Sequence, residues 1–220
     1  MKSVDSLQAV PVYEDRLDRD GRWALSEGSR HFEEKSAVQD ALYRIARRLE
    51  NLGIPYAIAG GMALFKHGFR RFTEDVDILV SRDGLETIHA QLEGLGYIPP
   101  FKGSKNLRDT EQGVRIEFLV AGEFPGDGKP KPVCFPEPDQ ACVVLDGVCY
   151  LTLPKLVELK LASGMTGGIH RMKDLTDIVQ LIESRRLPAD FADQLNPYVR
   201  DKYLELWEGI RDSPIGPGEN

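Results

Sequence analysis

The sequence predicts an α/β (α+β) chain with a small mixed sheet and a helical C-terminal part. Three observations predict it. Helical and strand periodicities alternate through the first half of the chain. An Asp146-Gly147 pair, the strongest short hairpin signal, sits between two apolar runs. From Pro154 onward only helical patterns recur.

Residues 1–30 are polar, mixed in charge and without a clear period, which predicts an irregular arm. From Ser36 to Leu52, the residues Val38, Leu42, Ile45 and Leu49 recur at steps of three and four. That is an amphipathic helix, with Ser36 as N-cap and Gly53 as terminator. Ile54–Ala59 reads as a short buried strand ending at Gly60-Gly61, and Met62–His67 resumes a helical pattern. Asp75–Val80 is a second strand, and Leu85–Leu95 is a helix closed by Gly96. Gly113 precedes a strand over Val114–Val120, and residues 122–138, rich in Gly, Pro and charge, form a loop. Ala141–Leu145 and Val148–Leu151 make the hairpin. Helices follow over Pro154–Ser163, Arg171–Arg185 and about Asp190–Ile210. The expected organisation is an arm (1–30), an α/β domain (31–152), a helical part completing the site (153–212) and a frayed tail (213–220).

The 220 residues are 41% hydrophobic and 29% charged, an ordinary globular profile. No apolar stretch approaches the ~18 residues of a membrane span, and the N-terminus lacks the apolar core of a signal peptide. Both favour the cytoplasm and no membrane partner. Cys134, Cys142 and Cys149 are odd in number and form no CxxC pair, so they read as buried, reduced thiols. The net charge of −7 counts against a large nucleic-acid surface. Lys66, Arg70 and Arg71, and Lys102, Lys105 and Arg108, leave room for a local basic groove.

The chemistry concentrates on Asp75-Val76-Asp77-Ile78-Leu79-Val80. Successive strand side chains point to opposite faces, so Asp75 and Asp77 project side by side. Two neighbouring carboxylates on a half-buried strand need compensation. Mg²⁺ supplies it, since it prefers one or two carboxylates, waters and substrate phosphates. A third acid fits: Glu117 alternates with Val114, Ile116, Phe118 and Val120 and faces away from them. Either it joins Asp75 and Asp77 on a metal, or it pairs with Arg115 on an exposed face.

Gly60-Gly61 at a strand-to-helix turn lets backbone approach a phosphate, and a helix N-terminus offers N–H groups to it. Arg71 and Thr73 keep a spacing of two ahead of Asp75 and Asp77, so Arg71 suits phosphate and Thr73 adds a hydroxyl donor. The alternative is that Arg70 and Arg71 are surface charges opposite Glu74. His67 and His170 read as surface histidines.

Gly60-Gly61, a gap of thirteen residues, then Asp75-Val76-Asp77-Ile78 resembles the motif of the DNA polymerase β-like nucleotidyltransferase superfamily. The Arg71-x-Thr73-x-Asp75-x-Asp77 elaboration is similar to its bacterial branch of AbiEii, MenT and MNT-like proteins and lincosamide nucleotidyltransferases. Lys160 in Leu156–Ser163, followed by Arg171-Met172-Lys173-Asp174, is similar to a Lys-then-Arg-x-Lys-Asp segment of that branch. The resemblance covers about residues 36–185. It implies a palm-type sheet and Mg²⁺, or Mn²⁺ in its place, on Asp75, Asp77 and Glu117. It implies an NTP held by Gly60, Gly61, Arg71, Thr73 and Lys160, with Asp174 shaping the site. From the residues alone, Lys160 could instead snorkel from its apolar helix, and Asp174 could be a first-turn acid. The third acid is often Asp in relatives, and Glu117 reaches one carbon further. The implied reaction moves a nucleoside monophosphate from an NTP to an acceptor hydroxyl. The acceptor could be tRNA or protein, as for a toxin with an antitoxin partner, or a small antibiotic-like alcohol; a non-catalytic nucleotide-binding module is the remaining alternative.

Overall fold

In the computed structural model of the chain, residues 12–212 are described. The first elements are helices α1 (Tyr13–Arg19) and α2 (Gly21–Phe32), where the sequence suggested an irregular arm. Polarity misled there, because these helices are anchored by a few specific contacts rather than by an apolar stripe. Tyr13 is buried and its hydroxyl donates to Glu27. Glu27 in turn accepts from the Ala37 N–H at 2.9 Å. Asp20 caps α2 by accepting from the Trp23 N–H. Residues 1–11 and the expected tail at 213–220 lie outside the described residues.

Helix α3 (Ala37–Asn51) starts at Ser36 in a capping box with Gln39, as the Ser-x-x-Gln spacing allows. Its Val38, Leu42, Ile45 and Leu49 are fully buried. Strand β1 (Tyr56–Ile58) and helix α4 (Gly60–Lys66) follow, then strand β2 (Asp75–Val80). Ser81 caps helix α5 (Arg82–Leu92), whose start lies three residues before the expected Leu85. Two short strands, β3 (Tyr97–Ile98) and β4 (Leu107–Asp109), were not legible in the sequence. Two or three residues between glycines and lysines are too few to show alternation. Strand β5 (Arg115–Val120) precedes the loop, and strands β6 (Cys142–Leu145) and β7 (Val148–Leu151) form the hairpin. Its turn residues Asp146 and Gly147 have φ of 51° and 80°, as the preferred two-residue hairpin turn requires. Helices α6 (Leu153–Thr166), α7 (Met172–Arg185) and α8 (Pro197–Asp212) complete the described chain.

The strands form one mixed sheet of seven, in the order β3-β4-β5-β2-β1-β7-β6. β2 and β5 run parallel, with Asp75 beside Arg115 and Asp77 beside Glu117. Val76, Ile78 and Val80, with Ile116, Phe118 and Val120, are buried on one face, which α3 and α5 cover. Period-two alternation therefore sends Asp75, Asp77, Arg115 and Glu117 to the opposite face. α4 packs on β2 and touches α6, framing that second face.

The cysteines depart from expectation. Cys142 and Cys149 form a disulfide, and Cys134 is exposed. The hairpin register pairs Cys142 with Leu151 and Val144 with Cys149, which brings the two Cα atoms to 5.6 Å on a diagonal. No CxxC spacing is needed for that. The pairing replaces the reading of all three as buried, reduced thiols. No helix among the described residues is long and apolar enough to cross a membrane.

Candidate active site

All nine residues singled out in the sequence line one cleft: Gly60, Gly61, Arg71, Thr73, Asp75, Asp77, Glu117, Lys160 and Asp174. One wall is the acid face of β2 and β5. The other is built by α6 and α7, and the loop after β5 adds Pro125, Gly126 and Phe135.

The two glycines are demanded by packing against the acid strand. Gly60 has φ +55°, and a Cβ there would lie 1.7 Å from Asp77 Oδ2. A Cβ on Gly61 would meet Thr73 at 2.7 Å. The start of α4 thus lies directly on the Asp77 carboxylate. Thr73 is buried and donates its hydroxyl to Asp75 Oδ1 at 2.8 Å, so its donor serves the acid strand.

Burial pushes the Asp77 carboxyl up to about 7, with the charges of Asp75 and Glu117 adding to the effect. Lys160 and Lys173 oppose the shift without cancelling it. The buried position of Asp77 therefore disfavours its charged form, and the neighbouring acids add to that. Glu117 pairs with Arg115, its Oε1 3.0 Å from Arg115 Nε, and it lines the cleft with Asp77 rather than an open face. Arg115 also reaches Asp75 Oδ2 at 3.1 Å.

Three carboxylates from adjacent registered strands are a donor set that suits a hard divalent cation. As they stand, no three His, Cys, Asp or Glu side chains among the described residues are grouped to hold one. Two of the three are turned onto Arg115.

The opposite wall is neutralised internally. Lys160 is buried and does not snorkel: its Nζ lies 2.8 Å from Asp174 Oδ1 and 2.7 Å from Asp177 Oδ2. Ser163 donates to Asp174 Oδ2 at 2.7 Å. Burial alone would raise the Asp174 carboxyl, but Lys160 and the Ser163 hydroxyl hold it below the ordinary carboxylate range. Arg71 is not opposite Glu74; its Nε lies 2.9 Å from Asp177 Oδ1. Asp177 and Ser163 escaped the sequence reading. The signal for Asp177 was its place three residues after Asp174, on the same helix face. Arg171 and Lys173, quoted in the motif but given no role, also line the cleft.

His67 is not a surface group. It is half-buried, its Nε2 sits 2.7 Å from the Leu151 carbonyl, and burial lowers its pKa. His170 is exposed, as expected. Of the basic residues that left room for a groove, four are paired with acids: Lys66 with Glu34 and Asp146, Arg71 with Asp177, Lys105 with Glu123, Arg108 with Glu14.

No family model matches the sequence, and no curated protein matches it. Solved structures do. The solution structure of the antibiotic-resistance factor ANT(2'')-Ia is similar at a TM-score of 0.50 and 15% identity, over 78% of this chain and 96% of that one. The chain has the nucleotidyltransferase fold. A nucleotidyltransferase-like protein from Paracoccidioides brasiliensis is similar at a TM-score of 0.43 and 18% identity, over 76% of this chain and 88% of that one. The Megavirus polyadenylate synthase gives 0.41 and 11%, over 86% and 40% respectively. Within the nucleotidyltransferase fold assigned from the first of these, the acid face of β2 and β5 and the turn into α4 form one side of a single cleft.

Proposed function

We propose that the chain is a metal-dependent nucleotidyltransferase that moves a nucleoside monophosphate from an NTP to an acceptor hydroxyl. The observation that carries this reading is the register of β2 on β5, which sets Asp75, Asp77 and Glu117 on one face of a cleft whose far wall bears Lys160, Arg171 and Lys173. A fold by itself does not fix a function; three acids on one face of a cleft with Arg171 and Lys173 across it are what a triphosphate with its counter-ions would complement.

Bound Mg²⁺ or Mn²⁺ would lower the pKa of the attacking hydroxyl and offset charge on the phosphates. Asp75, Asp77 and Glu117 would hold it. In the transfer, the acceptor oxygen bonds to the α-phosphorus and the bond from that phosphorus to the bridging oxygen breaks. Pyrophosphate leaves with the electron pair, and Glu117 takes the hydroxyl proton. Lys160 has three N–H donors and spends two on Asp174 and Asp177, leaving one for a phosphate oxygen. Asp177 holds Arg71 beside it, and Gly60 and Gly61 keep the approach open. Arg171 and Lys173 on the rim add charge for the leaving pyrophosphate.

The acceptor is a hydroxyl on tRNA, on protein, or on a small alcohol. An antitoxin partner belongs to the first two. One assay separates these: each α-labelled NTP is incubated with Mg²⁺ or Mn²⁺ and with total tRNA, cell protein or a panel of alcohols. Label is expected in one acceptor pool. Replacing a direct carboxylate by Asp77→Ala should cost at least about 100-fold, since even outer partners of a metal site cost 10–100-fold. Absence of NTP binding, together with an Asp77→Ala protein indistinguishable from wild type, would leave only a scaffold.

A further inference from the structure

Arg115 stands in the middle of the acid face. Its Nη2 is 3.1 Å from Asp75 and its Nε is 3.0 Å from Glu117. The same Nε is 3.7 Å from Oε1 of Glu14, a residue of α1. Glu14 is fixed in turn by Arg108, whose Nη1 lies 2.8 Å from Glu14 Oε2. Arg115 therefore meets two sets of acids at once. The inner and nearer set is Asp75 and Glu117; the outer and farther one is Glu14, brought in by the N-terminal helices.

A guanidinium cannot leave by losing its proton. A divalent cation drawing on Asp75 and Glu117 competes with it for the same oxygen lone pairs. The side chain is 39% exposed, which leaves solvent on one side of it. The neighbouring Glu14 gives it a counter-ion once it does.

We propose that Arg115 is a built-in counter-ion that holds Asp75 and Glu117 until a divalent cation arrives, and that Glu14 on α1 then receives its guanidinium. The proposal rests on the metal-holding reading of these acids. It makes Arg115 and Glu14 positioning residues that set cation affinity. It also couples the site to the docking of α1, because cation binding strengthens the Glu14–Arg115 pair.

The test measures Mn²⁺ affinity without any turnover, from the free-ion electron paramagnetic resonance signal, on the full chain. The variants are Arg115→Met, Arg115→Lys, Glu14→Gln and the double variant Arg115→Met/Glu14→Gln. Removing the competing cation should tighten Mn²⁺ binding roughly tenfold in Arg115→Met, the scale of a charge-assisted pair. Arg115→Lys should stay near wild type. Glu14→Gln should weaken binding severalfold, and the double variant should match Arg115→Met, because the outer acid matters only when the guanidinium is present. A merely structural Arg115 would give weaker or unchanged binding in Arg115→Met, and that result overturns the proposal. So does a Glu14→Gln effect that persists without Arg115. If wild type and every variant fail to bind Mn²⁺ while circular dichroism reports folded protein, the metal-holding reading itself falls, and this proposal with it.

Discussion

The two walls of the cleft solve the same electrostatic problem in opposite ways. On the helical wall, Lys160, Arg71, Asp174, Asp177 and Ser163 close a buried network in which each charge meets an opposite one. On the sheet wall, Asp75 and Glu117 share one part-exposed cation, Arg115, and Asp77 has no ion pair among the described residues. Burial and like charge leave Asp77 with a carboxyl raised to about 7. The first wall is a finished structural joint between α6, α7 and the segment before β2. The second holds a buried carboxyl whose charged form its surroundings disfavour.

That contrast is sharpest under mutation. Lys160→Met leaves Asp174 and Asp177 buried without their shared partner, and breaking such a pair costs about 3–5 kcal/mol. Arg115→Met removes a pair that is 39% exposed and should cost about 1 kcal/mol or less. Urea unfolding of both variants checks the order. Equal losses would mean that the two walls do not differ as described. Next in size is Gly60→Ala. The left-handed φ of +55° and the overlap of the new Cβ with Asp77 should together cost about 2 kcal/mol or more. A crystal structure of the variant would show Asp77 displaced.

How far the sequence reached follows the same division. The sheet wall was legible because its information is local. Asp75 and Asp77 alternate within one strand, Gly60-Gly61 ends the strand before it, and Glu117 alternates with four apolar neighbours. The helical wall was half legible. Lys160 stood out as an ammonium among leucines, yet its burial between two carboxylates depends on how α6 meets α7. Asp177 reaches Arg71 across 106 residues, which no local pattern reports. Glu14 reaches Arg108 and Arg115 from residues whose polarity suggested no structure at all. The Cys142–Cys149 bond likewise follows from hairpin register rather than spacing.

The cost assigned to Asp77 has a sign that can be measured. Its folded pKa is raised above the unfolded value of 3.8, so the folded state favours the protonated acid. Stability from this group is full below about pH 4 and falls as pH rises toward 7. Asp77→Asn removes that loss. Without divalent metal, the variant should be more stable than wild type at pH 8, by on the order of 1 kcal/mol or more. At pH 4 the gain should vanish. Thermal melts in chelator at the two pH values test it. A variant destabilised at pH 8 would show that Asp77 is an ordinary paired acid, and the contrast between the walls would fail.

The smallest effect comes from histidines away from the cleft floor, and it runs in the opposite direction. His31 is fully buried, with Nε2 3.0 Å from the Arg71 carbonyl, and burial lowers its pKa. Here the unfolded chain binds the proton more readily. Stability is therefore complete above about pH 6.5 and falls as pH drops through that value toward the folded pKa. His67 acts in the same sense. In an Asp77→Asn background, free of the opposing carboxyl, acidification from pH 7 to pH 5 should lower the melting temperature. Adding His31→Gln, which keeps a donor for the Arg71 carbonyl, should lessen that drop even if the neutral-pH melting temperature is lower. A slope unchanged by His31→Gln would place the acid sensitivity at His67 or elsewhere, and would free the joint between α2 and the Arg71 segment from any pH dependence.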